Sequence, residues 1–148
     1  MQKNRNLWVK VVFAAYVLWM LWLLFGQRWG QNGGSLNLKP LHTLKAFWWV
    51  LTHGGSRSMK IHAMVNLAGN VVMFVPLGVL VPVIWRKFSK FAVHIFVMAG
   101  IILAIELLQL VMGLGTCDID DLILNLLGTT IGFGVFKLRK HIFCRGEA

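Results

Sequence analysis

A chain of 148 residues has room for about one domain. Hydrophobic residues make up 57% of it and charged residues only 14%, against roughly 25% charged in soluble domains, which excludes a soluble globule, a disordered chain and a disulfide scaffold. The formal net charge of +10 comes from 15 Lys and Arg against 5 Asp and Glu; the basic residues flank apolar runs instead of forming a stripe interleaved with aromatics, so nucleic acid is not the partner.

The pattern predicts an all-α, polytopic membrane bundle, one domain over residues 1–148 with four transmembrane helices and an outer interfacial amphipathic helix. The first span is 7–25. Lys3 and Arg5 precede it, but it is long for a signal-peptide core, and Phe25-Gly26-Gln27-Arg28-Trp29 offers no small-residue cleavage site, so it reads as an uncleaved anchor. The connection 26–60 begins with a loop by composition, Gly30-Gln31-Asn32-Gly33-Gly34-Ser35. Pro40 is placed to start a helix. Leu41, Leu44, Phe47, Trp48 and Leu51 recur at helical spacing, opposite His42, Lys45 and Thr52, as in a helix lying in the outer interface. A loop anchored by Trp48 and Trp49 is the alternative.

The second span, 61–85, carries Asn66, Asn70, Pro76 and Pro82. A kink or break is expected near Pro76-Leu77-Gly78, because proline removes a backbone donor and crowds the carbonyl four residues earlier. The third, 91–113, carries His94, Glu106 and Gln109; the fourth, 119–136, carries Asp120, Asp121, Asn125 and several glycines. Gly128 and Gly132 have the small-xxx-small spacing that lets helices pack closely.

Orientation follows from the connections. With the N-terminus inside, the inner segments hold ten Lys and Arg and the outer ones five, so both termini are expected in the cytoplasm. Cys117 then lies outside and Cys144 inside, too far apart to pair. Cys117 is either a reactive thiol beside Asp118 or a small loop filler. His42, His53 and His62 are too scattered to mark a metal site, and no nucleophile–base motif or phosphate loop occurs.

Ionisable groups inside a span are costly, about 2.5–3.5 kcal/mol for a central Asp or Lys, so Glu106 is expected to face other helices. At 1.5 Å per residue it lies roughly 10 Å below the outer end of its span, with Gln109 one turn nearer the surface. Asn66 and Asn70 lie roughly 8 and 14 Å below the outer start of theirs. Asp118, Asp121 and Asn125 form one descending stripe at i, i+3, i+7. The matched depths predict one polar pocket opening outward, lined by Asn66, Asn70, Glu106, Gln109, Asp118, Asp121 and Asn125. Each amide taken alone reads equally as interhelical glue. Asp118 also suits a helix N-cap, and Asp121 suits the positive end of the same helix. Asp120, off the stripe, is expected to be a solvated charge at headgroup level.

Two segments together resemble the VanZ-like family. Asn66-Leu67-Ala68-Gly69-Asn70-Val71-Val72-Met73-Phe74-Val75-Pro76-Leu77-Gly78 is similar to its N-xx-GN-xxx-F-x-PLG pattern. Glu106-Leu107-Leu108-Gln109, then Asp118-Ile119-Asp120-Asp121-Leu122-Ile123-Leu124-Asn125 with Gly128 and Gly132, resembles its E-xx-Q, D-xx-D-xxx-N-xx-G-xxx-G signature. The family usually carries an arginine between those motifs. Here Leu114 stands in its place, so any contact that arginine would make with an anionic group is either lost or supplied by Lys45, Arg57 or Lys60. The resemblance implies a multi-pass protein of the bacterial cell membrane that lowers susceptibility to glycopeptides such as teicoplanin. It supplies no reaction and no cofactor.

Two chemistries fit the pocket. As a binding site it would hold a membrane lipid headgroup, a lipid-linked cell-wall precursor or the glycopeptide, through Asn66, Asn70, Gln109, Asp118 and Asn125. As an enzyme it would modify a lipid-linked envelope component, with Glu106 and Asp121 catalytic. The same oxygens are the donor set of a hard divalent cation, whose presence the sequence leaves open. The orientation is checked with tags at each end: neither should be reachable from outside intact cells, and exposure of either terminus overturns the four-span arrangement.

Overall fold

Helix α1 (Gln2–Leu21) continues through a wider π-helical turn, Trp22–Gly26. In this computed structural model, which describes residues 2–26, 35–114 and 116–145, the remaining elements are β1 (Ser35–Asn37), α2 (His42–Trp49), α3 (Arg57–Ile84), α4 (Phe91–Val111), β2 (Thr116–Asp118) and α5 (Ile119–Arg145). Four helices are long and apolar enough to cross a membrane, over Asn6–Gly26, Arg57–Ile84, Phe91–Val111 and Ile119–Ile142. The loop expected at 30–35 lies outside the described residues apart from Ser35, which opens β1.

The ends of the helices follow local chemistry. Ser56 caps α3, its hydroxyl accepting from the Met59 amide at 3.2 Å, so the helix starts four residues before the apolar run. Helix α4 ends at Gly113 (φ 66°), where the Gly113 amide donates to the Leu110 carbonyl and the Leu114 amide to the Gln109 carbonyl. That is a Schellman stop, which needs a left-handed residue and favours an apolar one after it. Leu114 accordingly is buried, a packing residue where a charged side chain was expected in the family pattern.

Of the kink or break expected near Pro76, a break does not occur. Helix α3 runs unbroken through Pro76 and Pro82 to Ile84. Neighbouring helices support it there: the Tyr16 hydroxyl of α1 donates to the Met73 carbonyl, and α5 packs along its other side.

Helices α3 and α5 form the centre of the bundle. A Cβ at Gly128 would overlap the Val71 carbonyl oxygen, one at Gly132 the Val75 carbonyl oxygen, and one at Gly78 the Thr129 carbonyl oxygen. Contacts advance by four residues along both helices together, so the two run parallel with their backbones touching. Such an approach gives dispersion contact and Cα–H···O pairs that side chains would prevent. Around it sit Met20, Leu24, Phe74, Leu77, Val81, Met98, Ile102 and Ile105 from α1, α3 and α4. At the opposite end from the strands, Phe91, His94 and Phe136 gather on Phe133, the fully buried His94 ring lying 4.7 Å from it.

The strands were not foreshadowed. Three residues of β1 pair in parallel with three of β2, Ser35 with Thr116, Leu36 with Cys117 and Asn37 with Asp118. This ties the long connection to the start of α5.

Gly132→Ala should destabilise the bundle by about 3 kcal/mol, because the obstacle is backbone that cannot rotate away. Gly134→Ala, where a Cβ meets nothing within 4 Å, should leave the melting temperature in detergent unchanged or slightly higher. Equal melting temperatures for the two variants would contradict the close crossing.

Candidate functional site

The polar residues of the spans and those of the connection meet where α5 begins. Asp118 N-caps α5: its Oδ1 accepts from the Asp120 amide at 2.9 Å. Its Oδ2 accepts from Asn37 Nδ2 at 3.0 Å and from the Thr43 hydroxyl at 2.5 Å. All three bonds are charge-assisted, and the carboxylate is buried.

Asp120 corrects an expectation. It is not solvated at headgroup level but fully buried. Its carboxylate accepts from the backbone amides of Leu41 at 2.6 Å, Thr43 at 2.9 Å and Leu44 at 3.1 Å. The physical reason lies in α2. Its N-cap position is Leu41, held at φ 62° with no side-chain oxygen to offer the first turn. The first amides of a helix require acceptors and carry partial positive charge. Asp120, from another helix, supplies both acceptor and charge. The sequence signal was an apolar residue at the start of a helix that Pro40 should have opened; an N-cap without a cap implies an acceptor elsewhere.

Helix α2 itself exists as expected, over His42–Trp49 with a π turn to Gly54, but it buries no residue. Trp48 and Trp49 are exposed.

Below this clasp, Asn70 Nδ2 of α3 donates to Asp121 Oδ1 of α5 at 2.6 Å. Asn66, one turn from Asn70, is half-buried. Glu106 on α4 is buried, 4% exposed. Gln109 is equally buried, with Nε2 donating to the Leu24 carbonyl at 2.8 Å. Leu24 belongs to the last turn of α1, whose carbonyls lack intrahelical partners, so Gln109 fastens α1 to α4. Asn125 is 3% exposed, and its Oδ1 accepts no hydrogen bond among the described residues.

The stripe therefore divides. Asp118 turns to the connection, Asp121 to α3 and Gln109 to α1, while Asn125 is buried. Asn37 and Thr43 join the site from the connection, which spacing could not foretell. Among the described residues no group of three or more His, Cys, Asp or Glu side chains is gathered around a common point as metal ligands.

Cys117 is buried in β2. Burial pushes its thiol above the ordinary range, and the nearby carboxylates of Glu106 and Asp118 push it further. The filler reading fits this environment better than a reactive thiol, because the thiolate is the nucleophile. The side chain of Cys144 lies outside the described residues.

A family model described as VanZ/LLP1 matches residues 10–140. Protein VanZ of Enterococcus faecium is 31% identical over 139 residues, an alignment covering 88% of this chain and 75% of that protein. No solved structure matches the chain.

Asp120→Ala leaves three amides without their acceptor and should cost about 1–3 kcal/mol. By releasing α2 and the β1–β2 pair it should also speed modification of Cys117 by an impermeant maleimide. In the parent protein that reaction should be slow at neutral pH and should rise only at a higher pH than for a free cysteine, since the raised thiol ionises later. Rapid labelling of the parent at neutral pH would contradict the buried, acid-flanked placement.

Proposed function

This chain belongs to the VanZ-like family, and from that membership we propose that it lowers susceptibility to glycopeptides such as teicoplanin by binding an envelope lipid at an outward-facing polar site. The ligand is a lipid headgroup or a lipid-linked cell-wall precursor. Asn66, Asn70, Glu106, Asp121 and Asn125 contact it. Asp118 and Gln109 hold the frame: one fixes the connection over the end of α5, the other fixes α1 to α4. Occupancy of the site limits glycopeptide access to the precursor.

One observation carries this reading. Glu106 is 4% exposed within a membrane-spanning helix, at the end of the bundle where Asn70 and Asp121 meet at 2.6 Å. Burying such groups is costly in a bilayer protein, and selection keeps them where they act on a ligand, a proton or an ion. The binding reading is favoured over the enzyme reading because the sequence carries no recognisable nucleophile–base motif.

The test is glycopeptide susceptibility of cells carrying each variant, with membrane abundance measured alongside. Glu106→Gln keeps shape and hydrogen-bonding capacity while removing the charge. It should be as abundant as the parent yet return susceptibility to that of cells lacking the protein. Asp121→Asn should do the same. Leu127→Ala, at an exposed position on α5, should leave protection intact. Full protection by an abundant Glu106→Gln protein would sink the proposal.

A further inference from the structure

We propose that the end of the bundle opposite the strands binds anionic membrane lipids, whose headgroup phosphates are held by Lys87 and Lys90 of the α3–α4 connection and by Lys137 and Lys140 of α5. This surface is separate from the polar site above and does not depend on how that site is read.

Charge is spread unevenly along the bundle. Toward the strands, Lys39, Lys45, Arg57 and Lys60 share an end with Glu106, Asp118, Asp120 and Asp121, so the two signs offset one another. The opposite end has no carboxylate among the described residues; the fifth acid, Glu147, lies outside them. It carries Lys10, Arg86, Lys87, Lys90, Lys137 and Lys140, all exposed. Lys10 belongs there because α1 runs antiparallel to α3, with Tyr16 on the Met73 carbonyl and Phe13 at 5.3 Å from Trp85.

Membrane topology accounts for the number of these cations but not for their placement. Lys87 Nζ sits 4.9 Å over the Phe88 ring, and Lys137 Nζ sits 5.4 Å over the Phe133 ring. Such contacts hold both ammoniums at the edge of an aromatic layer instead of out in water. The layer runs from Phe13 through Trp85 to Phe88, and from Phe91 through Phe133 to Phe136. Trp85 and Phe91 are exposed, as suits aromatic side chains at headgroup level.

Helix α5 adds an overhang. Phe133, Lys137 and Lys140 fall at i, i+4 and i+7, on one face. Phe133 packs on Phe91 and His94, so this face is the one turned to α4. Because α5 continues to Arg145, Lys137 and Lys140 stand roughly 6 and 10 Å beyond Phe133, past the start of α4. That start carries no acidic residue in its first turn and no side-chain cap, so its dipole adds to the positive sign.

These features select the occupant. Cations at headgroup level with no carboxylate beside them attract phosphate. Phosphatidylcholine and phosphatidylethanolamine offset their phosphate with an ammonium of their own, whereas phosphatidylglycerol keeps its net negative charge. A soluble phosphate would gain nothing from the exposed aromatic flank, against which a lipid can lay its chains.

The test uses the purified full-length chain in nanodiscs of phosphatidylglycerol and phosphatidylcholine at equal fraction. Lipid retained on the protein is read by native mass spectrometry. One basic side chain near an anionic headgroup is worth about fivefold, so phosphatidylglycerol should be retained roughly tenfold or more over phosphatidylcholine. The paired substitutions Lys137→Gln with Lys140→Gln, and Lys87→Gln with Lys90→Gln, should each bring retention close to parity. Lys39→Gln with Lys45→Gln removes the same charge at the strand end and should leave the preference intact. All six side chains are exposed, so melting temperatures in phosphatidylcholine alone should match the parent's.

Equal retention of the two lipids by the parent overturns the inference and needs no variant. An equal loss in all three paired variants also overturns it, because the preference would then follow net charge and not this surface. Displacement of the retained phosphatidylglycerol by millimolar glycerol phosphate would identify a soluble-phosphate site and overturn the assignment to lipid.

Discussion

Two backbones in contact set the geometry of the whole bundle. Helices α3 and α5 approach so closely at Gly78, Gly128 and Gly132 that no Cβ fits between them. In lipid the hydrophobic effect does little to bring helices together, so association depends on packing and polar contacts. The glycine crossing supplies the packing, and the Asn70–Asp121 bond just above it supplies the polar contact. Once these two helices are registered, the polar residues of both fall at one level. Helix α4 then adds Glu106 at that end and His94 at the other.

Helix α1 is held differently. Besides Met20 and Leu24 in the core, it is held by a hydroxyl, a carbonyl and an aromatic edge: Tyr16 on the Met73 carbonyl, Gln109 on the Leu24 carbonyl, and Phe13 against Trp85 at 5.3 Å. Much of its remaining surface is exposed apolar side chain, including Leu7, Trp8, Leu18 and Trp19, as suits a lipid-facing helix. The connection after it is fastened by carboxylates instead of by burial. Asp118 and Asp120 together accept six hydrogen bonds, one from α5's own backbone and five from β1 and the α2 region. The same short acidic stretch thus starts α5, anchors the connection and, through Asp121, meets Asn70 of α3.

The four apolar helices and the level at which Asn70 meets Asp121 were legible in the chain. Apolar length fixes a membrane helix, and 1.5 Å per residue converts sequence position to depth. The small-xxx-small spacing of Gly128 and Gly132 likewise named the face of α5 that meets another helix. Gly113 closed α4 because few other residues adopt its backbone conformation without strain. These are all properties of a residue and its near neighbours.

Asp120, Asn37, Thr43 and the strand pair could not be read this way. Asp120 caps a helix that begins about 80 residues earlier in the chain, and the β1–β2 ladder joins segments equally remote. Neither leaves a periodic mark, because each partner looks locally like an ordinary loop residue. Pro76 shows the converse: its local preference for a break was real, yet α3, packed against α1 and α5, continues through it. The sequence by itself determined the membrane class, the helices, their depth and the family motifs, since hydrophobic length and residue chemistry are local. Only the tertiary structure decided that Asp118 and Asp120 are structural clasps, since that depends on which distant amide or hydroxyl each carboxylate reaches.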